Sequence, residues 1–208
     1  MLSFVEVVTP AEDYKLISLE SAKLALDLTD TSYDEKLTEL IERVSDEISA
    51  LCNNRVFAKE EVIETFYGDP TSRLFLSRFP VDATDIESVE VSGLAVTNYV
   101  LDNKNGILYL ASGWSPAVVS YAGGYVLPAG APKALQQAAL MLLSSRFSEA
   151  QQAVTAGSGI KSVSHEGSTV TYMTPNEMSG SRATSSSGGS ATLSSVQALL
   201  NHYMRIWV

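Results

Sequence analysis

The sequence predicts an α+β fold, in which a small helical bundle carries an inserted antiparallel β-sheet and a tethered C-terminal helix. Three observations predict it. Helical apolar patterns occupy the region before residue 52, six short strand-like runs follow between residues 62 and 121, and a Gly/Ser/Thr-rich segment precedes a last apolar stripe. The 208 residues are 45% apolar, which is enough for one ordinary domain with its own core.

Two helices are predicted in the N-terminal region. The first covers residues 18–29 and begins at Ser18, whose hydroxyl can accept a hydrogen bond from a free amide of the first turn. The second begins at Ser32–Glu35, where Ser followed three residues later by Glu fits a capping box. Its apolar residues recur at the spacing of one helical face: Leu37, Leu40, Ile41, Val44, Ile48, Leu51 and Cys52.

Residues 60–122 change to strand-like patterns. Turn residues separate short apolar runs, which are Val62–Tyr67, Arg73–Leu76, Ile86–Val91, Tyr99–Leu101, Ile107–Leu110 and Val118–Tyr121. Asn105 and Gly106 both tolerate positive φ, so they predict a hairpin turn. A third helix is predicted from Pro132 to about Phe147, since the missing N–H of proline is not needed in a first helical turn.

The segment 151–192 has a different composition. Of its 42 residues, 22 are Gly, Ser or Thr, which bury too little apolar surface to offset the entropy of ordering. Residues 160–164 and 168–173 could form a weak hairpin, and residues 174–192 are expected to be mobile. The chain is therefore divided into a core domain (1–150), an extension (151–192) and a C-terminal docking helix (193–208) with an apolar stripe of Leu193, Val196, Leu200, Tyr203 and Trp207.

The formal net charge of −10 is unevenly distributed. Residues 1–60 carry 13 acidic against 6 basic residues, whereas residues 151–208 are close to neutral. Phosphate binding needs clustered Lys and Arg, so tight nucleic-acid binding is disfavoured, although an acidic surface suits a wall along which DNA must slide. The candidates for such a surface share one predicted helix, and the alternative is an ordinary solvated face: Glu39, Glu42, Asp46 and Glu47.

No catalytic, cofactor-binding or metal-binding residues are predicted. His165 and His202 lie 37 positions apart, and Cys52 ends an apolar stripe with no histidine near it. No cofactor is therefore expected, and an enzyme is the least favoured class of function. The single cysteine cannot form an internal disulfide, and neither a signal peptide nor a membrane span is expected, so the chain should be made in the cytoplasm.

The order of these elements carries a resemblance to a known family. Two N-terminal helices, a β-rich insert and a Pro-led helix are similar to those of the head–tail connector (adaptor) proteins of phages, prophages and gene transfer agents. The similarity covers about residues 15–148, and the residues that carry it are Leu16–Leu28 with Lys23, Tyr33–Leu51, Asn54–Phe57, Phe79–Val81, Ile86–Val89, Gly106–Leu110, Val118–Tyr125 and Pro132–Phe147.

The resemblance implies a structural role in the virion neck. The resemblance implies a ring of about twelve copies beneath the portal. In that family the helices pack side by side around the channel. The ring joins the portal to a stopper or tail protein and lines part of the channel through which DNA passes without sequence-specific contact. It is assembled in the cytoplasm of the host bacterium, with no membrane partner.

The apolar C-terminal stripe is predicted to contact a partner, through Leu199, Leu200, Tyr203, Ile206 and Trp207. Folding back onto the chain's own bundle is the alternative. Two other functions stay open, namely a stopper or tail-completion protein of the virion, and a non-viral soluble binding or scaffold module. Affinity for the portal distinguishes the adaptor from both.

Overall fold

The computed structural model describes residues 2–67, 71–114, 116–156, 162–165, 168–171 and 188–204. Within them the chain forms a helical bundle and a two-sheet β-sandwich, so the predicted α+β class is confirmed. The helices are α1 (Leu19–Ala25), α2 (Asp34–Leu51), α3 (Lys133–Ala156) and α4 (Gly188–Leu200).

The strands form three antiparallel sheets. A five-stranded sheet has the order β1-β2-β8-β4-β5 and faces a three-stranded sheet of order β3-β7-β6, while β9 and β10 form a separate pair. The strands are β1 (Leu2–Thr9), β2 (Glu60–Tyr67), β3 (Thr71–Phe75), β4 (Ile86–Val91), β5 (Leu94–Ala95), β6 (Tyr99–Asp102), β7 (Ile107–Trp114), β8 (Ala117–Gly123), β9 (Ser162–His165) and β10 (Ser168–Thr171), with a 3-10 turn at Ala83–Asp85 before β4.

The start of α1 is confirmed and that of α2 is corrected. Ser18 caps α1, because its Oγ accepts a hydrogen bond of 3.2 Å from the Ser21 amide. The capping box of α2 does not form, since α2 begins after Tyr33, which makes no side-chain cap. The Ser32 hydroxyl and amide both donate to the Asp30 carboxylate. This local turn competes with capping, as short polar side chains commonly do.

The third helix is longer than predicted. Pro132 directly precedes α3, and its carbonyl accepts the Gln136 amide at 3.0 Å, as expected for a helix led by proline. However, α3 continues nine residues past Phe147, to Ala156. The added residues are rich in Ala, Gln and Glu, which favour helix. The helix therefore crosses residue 150, where the core domain was expected to end.

All six predicted strands are present, and two strands were not predicted, namely β1 and the two-residue β5. The Asn105–Gly106 hairpin turn is confirmed between β6 and β7, where Gly106 has φ +58° and the Asp102 carboxylate accepts bonds from Asn105. The weak hairpin is confirmed as the β9–β10 pair. Residues 174–187, expected to be mobile, lie outside the described residues, and residues 188–192 form the first part of α4.

Two hydrophobic cores divide the molecule. The bundle core lies between all four helices and includes Leu16, Ile41, Leu142 and Leu200, none more than 1% exposed. The sandwich core lies between the two facing sheets, with Phe66, Leu74, Leu108 and Val119 fully buried. The segment between α2 and β2 connects these two layers and thus positions the surfaces described below.

Candidate assembly surfaces

The four acidic residues predicted to face a channel lie on α2. Glu39, Glu42 and Asp46 are exposed, and Glu47 is half-buried. They are therefore on the solvent side of the helix, as their spacing away from the apolar stripe predicts. Glu39, Glu42 and Asp46 therefore stay in contact with water, whereas Glu47 is partly covered.

Basic residues of the same chain pair with three of these carboxylates. The pairs are Glu39 with Arg43 at 2.5 Å, Glu42 with Lys15 at 3.5 Å, and Glu47 with Arg146 at 2.6 Å. Exposed pairs of this kind contribute little stability, but they reduce the local negative charge. The pKa of Arg146 is raised, first by its hydrogen bond to Glu47 and then by that to Glu149. The channel-facing role of the four acids stays a prediction.

The C-terminal helix folds back onto its own bundle. Val196 and Leu200 are fully buried in the bundle core, where α4 packs against α3 and α2, and Leu199 is half-buried beside them. This is the alternative arrangement considered above. In this conformation Leu200 can reach a partner only if α4 leaves the bundle.

The segment after α4 is also attached to the chain itself. The Tyr203 ring packs edge-on against Phe57, with 6.3 Å between the ring centroids. Burial raises the pKa of the Tyr203 hydroxyl above its usual value. Ile206 and Trp207 lie outside the described residues. Of the five predicted contact residues, three are thus held by the chain's own core, and the partner role of the set stays a prediction.

Arg55 joins the bundle, the sandwich and the C-terminal segment. Its guanidinium lies 3.5 Å from the ring centroid of Phe79 and 4.8 Å from that of Phe57, both within cation–π range. Its Nη2 donates to the Phe79 carbonyl at 2.7 Å, and its Nη1 donates to the Tyr203 carbonyl at 3.0 Å. Arg55 was not predicted as a functional or structural residue, because its partners lie 24 and 148 residues away in the sequence.

Two carboxylates are buried where β2 meets the rest of the sandwich. Glu64 is fully buried and accepts bonds from the Ser77 amide at 2.9 Å and the Tyr121 hydroxyl at 2.8 Å. Glu60 pairs with Arg78 Nε at 2.6 Å and accepts the Tyr14 hydroxyl at 2.6 Å.

Each buried acid therefore has partners, as buried charges require. Burial, followed by the nearby Glu64 charge, holds the pKa of Tyr121 well above its usual value. The arrangement is a structural crosslink within the sandwich, because every group in it is already engaged.

The described residues contain no group of three or more His, Cys, Asp or Glu side chains that could hold a metal ion. Burial raises the pKa of Cys52 to about 11, so the thiol is neutral at physiological pH and a poor nucleophile. His202 is exposed at the end of the bundle. None of the described helices is long and apolar enough to cross a membrane.

Of the two strands not predicted from the sequence, β1 is the longer and is exposed to solvent along its whole length. Every residue of this strand is exposed, including Leu2, Phe4 and Val8, and among the described strands it pairs only with β2. The signal was available in the sequence, since Leu2–Thr9 is rich in Val and Phe. It was obscured because the run lacks the strict apolar–polar alternation of a half-buried strand.

Comparison with known proteins identifies the family. The family model described as "Head completion protein" matches residues 15–181, which is most of the chain. The chain belongs to the head completion protein family. The resemblance to head–tail connector proteins is thereby confirmed. No curated protein matches.

Two solved structures share the fold of this head completion protein. One is a chain from the neck of an empty gene transfer agent particle computed with C6 symmetry, with 13% identity, coverage of 99% of this chain and 97% of that one, and a TM-score of 0.57. The other is a chain from the virion of a native gene transfer agent particle, with 12% identity, coverage of 98% and 96%, and a TM-score of 0.55. At these identities the likeness concerns the fold.

Proposed function

We propose that this protein is a structural head–tail adaptor, which forms a ring beneath the portal and joins the head of a phage or phage-like particle to its tail. The observation that carries the proposal is the family match over residues 15–181. The likeness in fold along nearly the whole chain to a protein of a gene transfer agent neck supports it. The work of such a subunit is mechanical rather than catalytic.

The charge of the chain agrees with a conduit for DNA. A net charge of −10 gives a surface that repels phosphate, so DNA would pass without adhering. Asp46 and the exposed pair of Glu39 with Arg43 lie on the open face of α2, and we place this face toward the channel. Because three of the four acids are paired within the chain, we expect weak rather than strong repulsion from this face.

The C-terminal segment is assigned two roles in this proposal. The helix α4 is held in the bundle by Val196, Leu199 and Leu200. The Tyr203 carbonyl accepts a hydrogen bond from Arg55. Attachment to the portal is therefore assigned to Ile206 and Trp207, which follow directly. Aromatic anchors such as Trp commonly dominate protein interfaces.

Light scattering with the cognate portal tests the adaptor function. We expect the mass of the mixture to exceed that of the portal by a ring of adaptor subunits, because binding to a portal raises the effective concentration of neighbouring copies. A tail-tube or stopper protein without portal is the matched control. A chain that binds this control and not the portal is a stopper or tail-completion protein, and binding to neither would contradict the adaptor function.

A further inference from the structure

We propose that neighbouring subunits join through the two flanks of the β-sandwich, with the β1 flank of one copy seated on the β5–β6 flank of the next. The β1 flank is defined as residues 2–13 together with Tyr67, and the β5–β6 flank as residues 94–104. This inference rests on the proposed function, because it names the surface that would close the ring. It supplements any packing of helices around the channel.

The first observation is that β1 is ordered without being covered. Leu2 is 63% exposed and Phe4 is 60% exposed, and both faces of the strand contact water. Its outer edge also carries backbone groups that no other described strand pairs with. A long, apolar, open edge strand is a site for association with another chain, and proteins that do not use such an edge normally block it.

The second observation is a matching edge on the far side of the same sandwich. In the five-stranded sheet β1 and β5 are the two outer strands, and only three residues separate β5 from β6, which is itself an outer strand of the facing sheet. Leu94 is 72% exposed and Val100 is 68% exposed. Each subunit thus presents one apolar flank on each side.

We assign a second copy as the occupant of the β1 flank, because the β5–β6 flank is apolar and carries no net charge that would repel the acidic β1 flank. Residues 2–13 carry three acids, Glu6, Glu12 and Asp13, and no base. Residues 94–104 carry Asp102 and Lys104, so they are neutral overall. Two β1 flanks brought together would repel and would leave the β5–β6 flank bare, whereas β1 against β5–β6 covers both.

This contact is heterologous, since different surfaces of the two copies meet. A heterologous contact repeats from copy to copy, and it produces a closed ring when the rotation between copies closes. An isologous β1–β1 contact would stop at a dimer. The two flanks therefore provide the geometry that a ring needs, independently of how the ring meets the portal.

Cysteine crosslinking tests the pairing. The wild-type chain should react little with the crosslinker, because its single cysteine, Cys52, is 1% exposed. In a Val8→Cys, Val100→Cys double variant a short bis-maleimide should produce a ladder of dimers, trimers and larger products ending in a closed ring. Either single variant should give no ladder, and an equal mixture of the two single variants should give dimers only. Leu24→Cys with Val100→Cys is the control, since Leu24 lies on α1.

The alternatives give different patterns. Efficient dimers from Val8→Cys alone would show a two-fold β1–β1 contact and overturn the inference. A ring seen by light scattering but no ladder from the double variant would place the interface elsewhere and leave the adaptor function intact. If no ring forms with the portal, the adaptor function fails, and crosslinking of the concentrated free protein still decides which flanks meet.

Charge insertion provides a second measurement. Val8→Glu and Val100→Glu should each weaken ring assembly about tenfold or more, because each buries an unpaired charge at the contact. Leu24→Glu, at an apolar residue that is even more exposed, should weaken it less. Circular dichroism should show all three variants folded, since the wild-type side chains are exposed. Undiminished assembly of both flank variants would contradict the inference.

Discussion

At the scale of single residues, Arg55 determines how the two layers meet. Arg55 is 9% exposed. Its guanidinium stacks on two aromatic rings and donates hydrogen bonds to carbonyls of both the sandwich and the C-terminal segment. Arginine suits this position because its planar, weakly hydrated cation can stack and donate at the same time. Cys52, three residues earlier, closes the helical stripe as a neutral buried thiol.

Replacing Arg55 should destabilise the whole chain. We expect Arg55→Leu to lower the free energy of unfolding by about 2–4 kcal/mol, because the Phe79 and Tyr203 carbonyls lose their donor and the stacking is lost. Arg55→Lys should recover only part of this, since an ammonium cannot stack as a plane. Urea denaturation gives the measurement. Arg43→Leu, at an exposed arginine, should change the free energy of unfolding by no more than about 0.5 kcal/mol. Equal losses for Arg55→Leu and Arg43→Leu would show that Arg55 does not hold the two layers together.

The Cys52 thiol should be unreactive in the folded protein at pH 8. Burial raises its pKa from 9.0 to about 11, so almost no thiolate is present and little reagent can reach it. Because the pKa of Cys52 is higher in the folded than in the unfolded state, the buried neutral thiol contributes to folding stability. This contribution is complete below pH 9 and is lost as the pH rises toward 11.

Thiol titration with a chromogenic disulfide reagent measures the reactivity of Cys52. The Val8→Cys variant is the control, since its added thiol is exposed and should react at once. Rapid reaction of the wild-type protein, at the rate found in denaturant, would contradict the buried position of Cys52.

At the scale of elements, α4 belongs to the bundle although it is distant in sequence. Its apolar stripe predicts an amphipathic helix, and a lone helix of 13 residues is marginal in water. Such a helix is stable only when its apolar face is covered, and here Val196 and Leu200 pack against α3 and α2. The same stripe would have suited a partner equally well, so the pattern alone does not choose between the two surfaces.

Two changes in the C-terminal segment should separate stability from attachment. Leu200→Ala should lower the free energy of unfolding by about 2–5 kcal/mol, because it leaves a cavity in the bundle core. Leu193→Ala, at a residue that is 43% exposed, should cost clearly less. Deletion of residues 205–208 should leave the melting temperature nearly unchanged and weaken portal binding, as judged by sedimentation. Unchanged stability of Leu200→Ala together with lost portal binding would restore the docking role to α4.

At the scale of the whole molecule, charge opposes assembly and apolar flanks favour it. Copies with a net charge of −10 each repel one another, and most of that charge lies in the first 150 residues. The open β1 strand and the exposed Leu94 and Val100 provide apolar surface that can offset this repulsion. Assembly therefore depends on the balance between charge repulsion and apolar contact.

Ring formation should therefore increase with salt. Raising the ionic strength from about 0.01 to 0.15 M shortens the screening length from about 30 to 8 Å, so copies repel less while apolar contacts persist. Analytical ultracentrifugation of the free protein should show larger species at the higher salt. A neutral osmolyte at matched osmolality is the control. Dissociation on adding salt would show that ion pairs, rather than apolar flanks, hold neighbouring copies together.

The sequence alone determined the local elements, because local spacing and turn chemistry specify them. The stripe from Leu37 to Cys52 predicted α2, the Asn105–Gly106 turn predicted a hairpin, and the six strand-like runs predicted the sandwich strands. Errors arose where two local interactions compete, as at Ser32, or where apolar and polar residues do not alternate, as in β1. The order of elements also predicted the family.

Only the tertiary structure decided which surfaces are used within the chain and which remain open. Arg55 joins groups separated by 24 and 148 residues, Leu200 packs in the chain's own core, and both flanks of the sandwich stay exposed. The physical reason is that an apolar stripe or a charged side chain has the same pattern whether its partner lies in the same chain or in another. Sequence spacing determines which face of an element is apolar, whereas long-range packing determines what covers it.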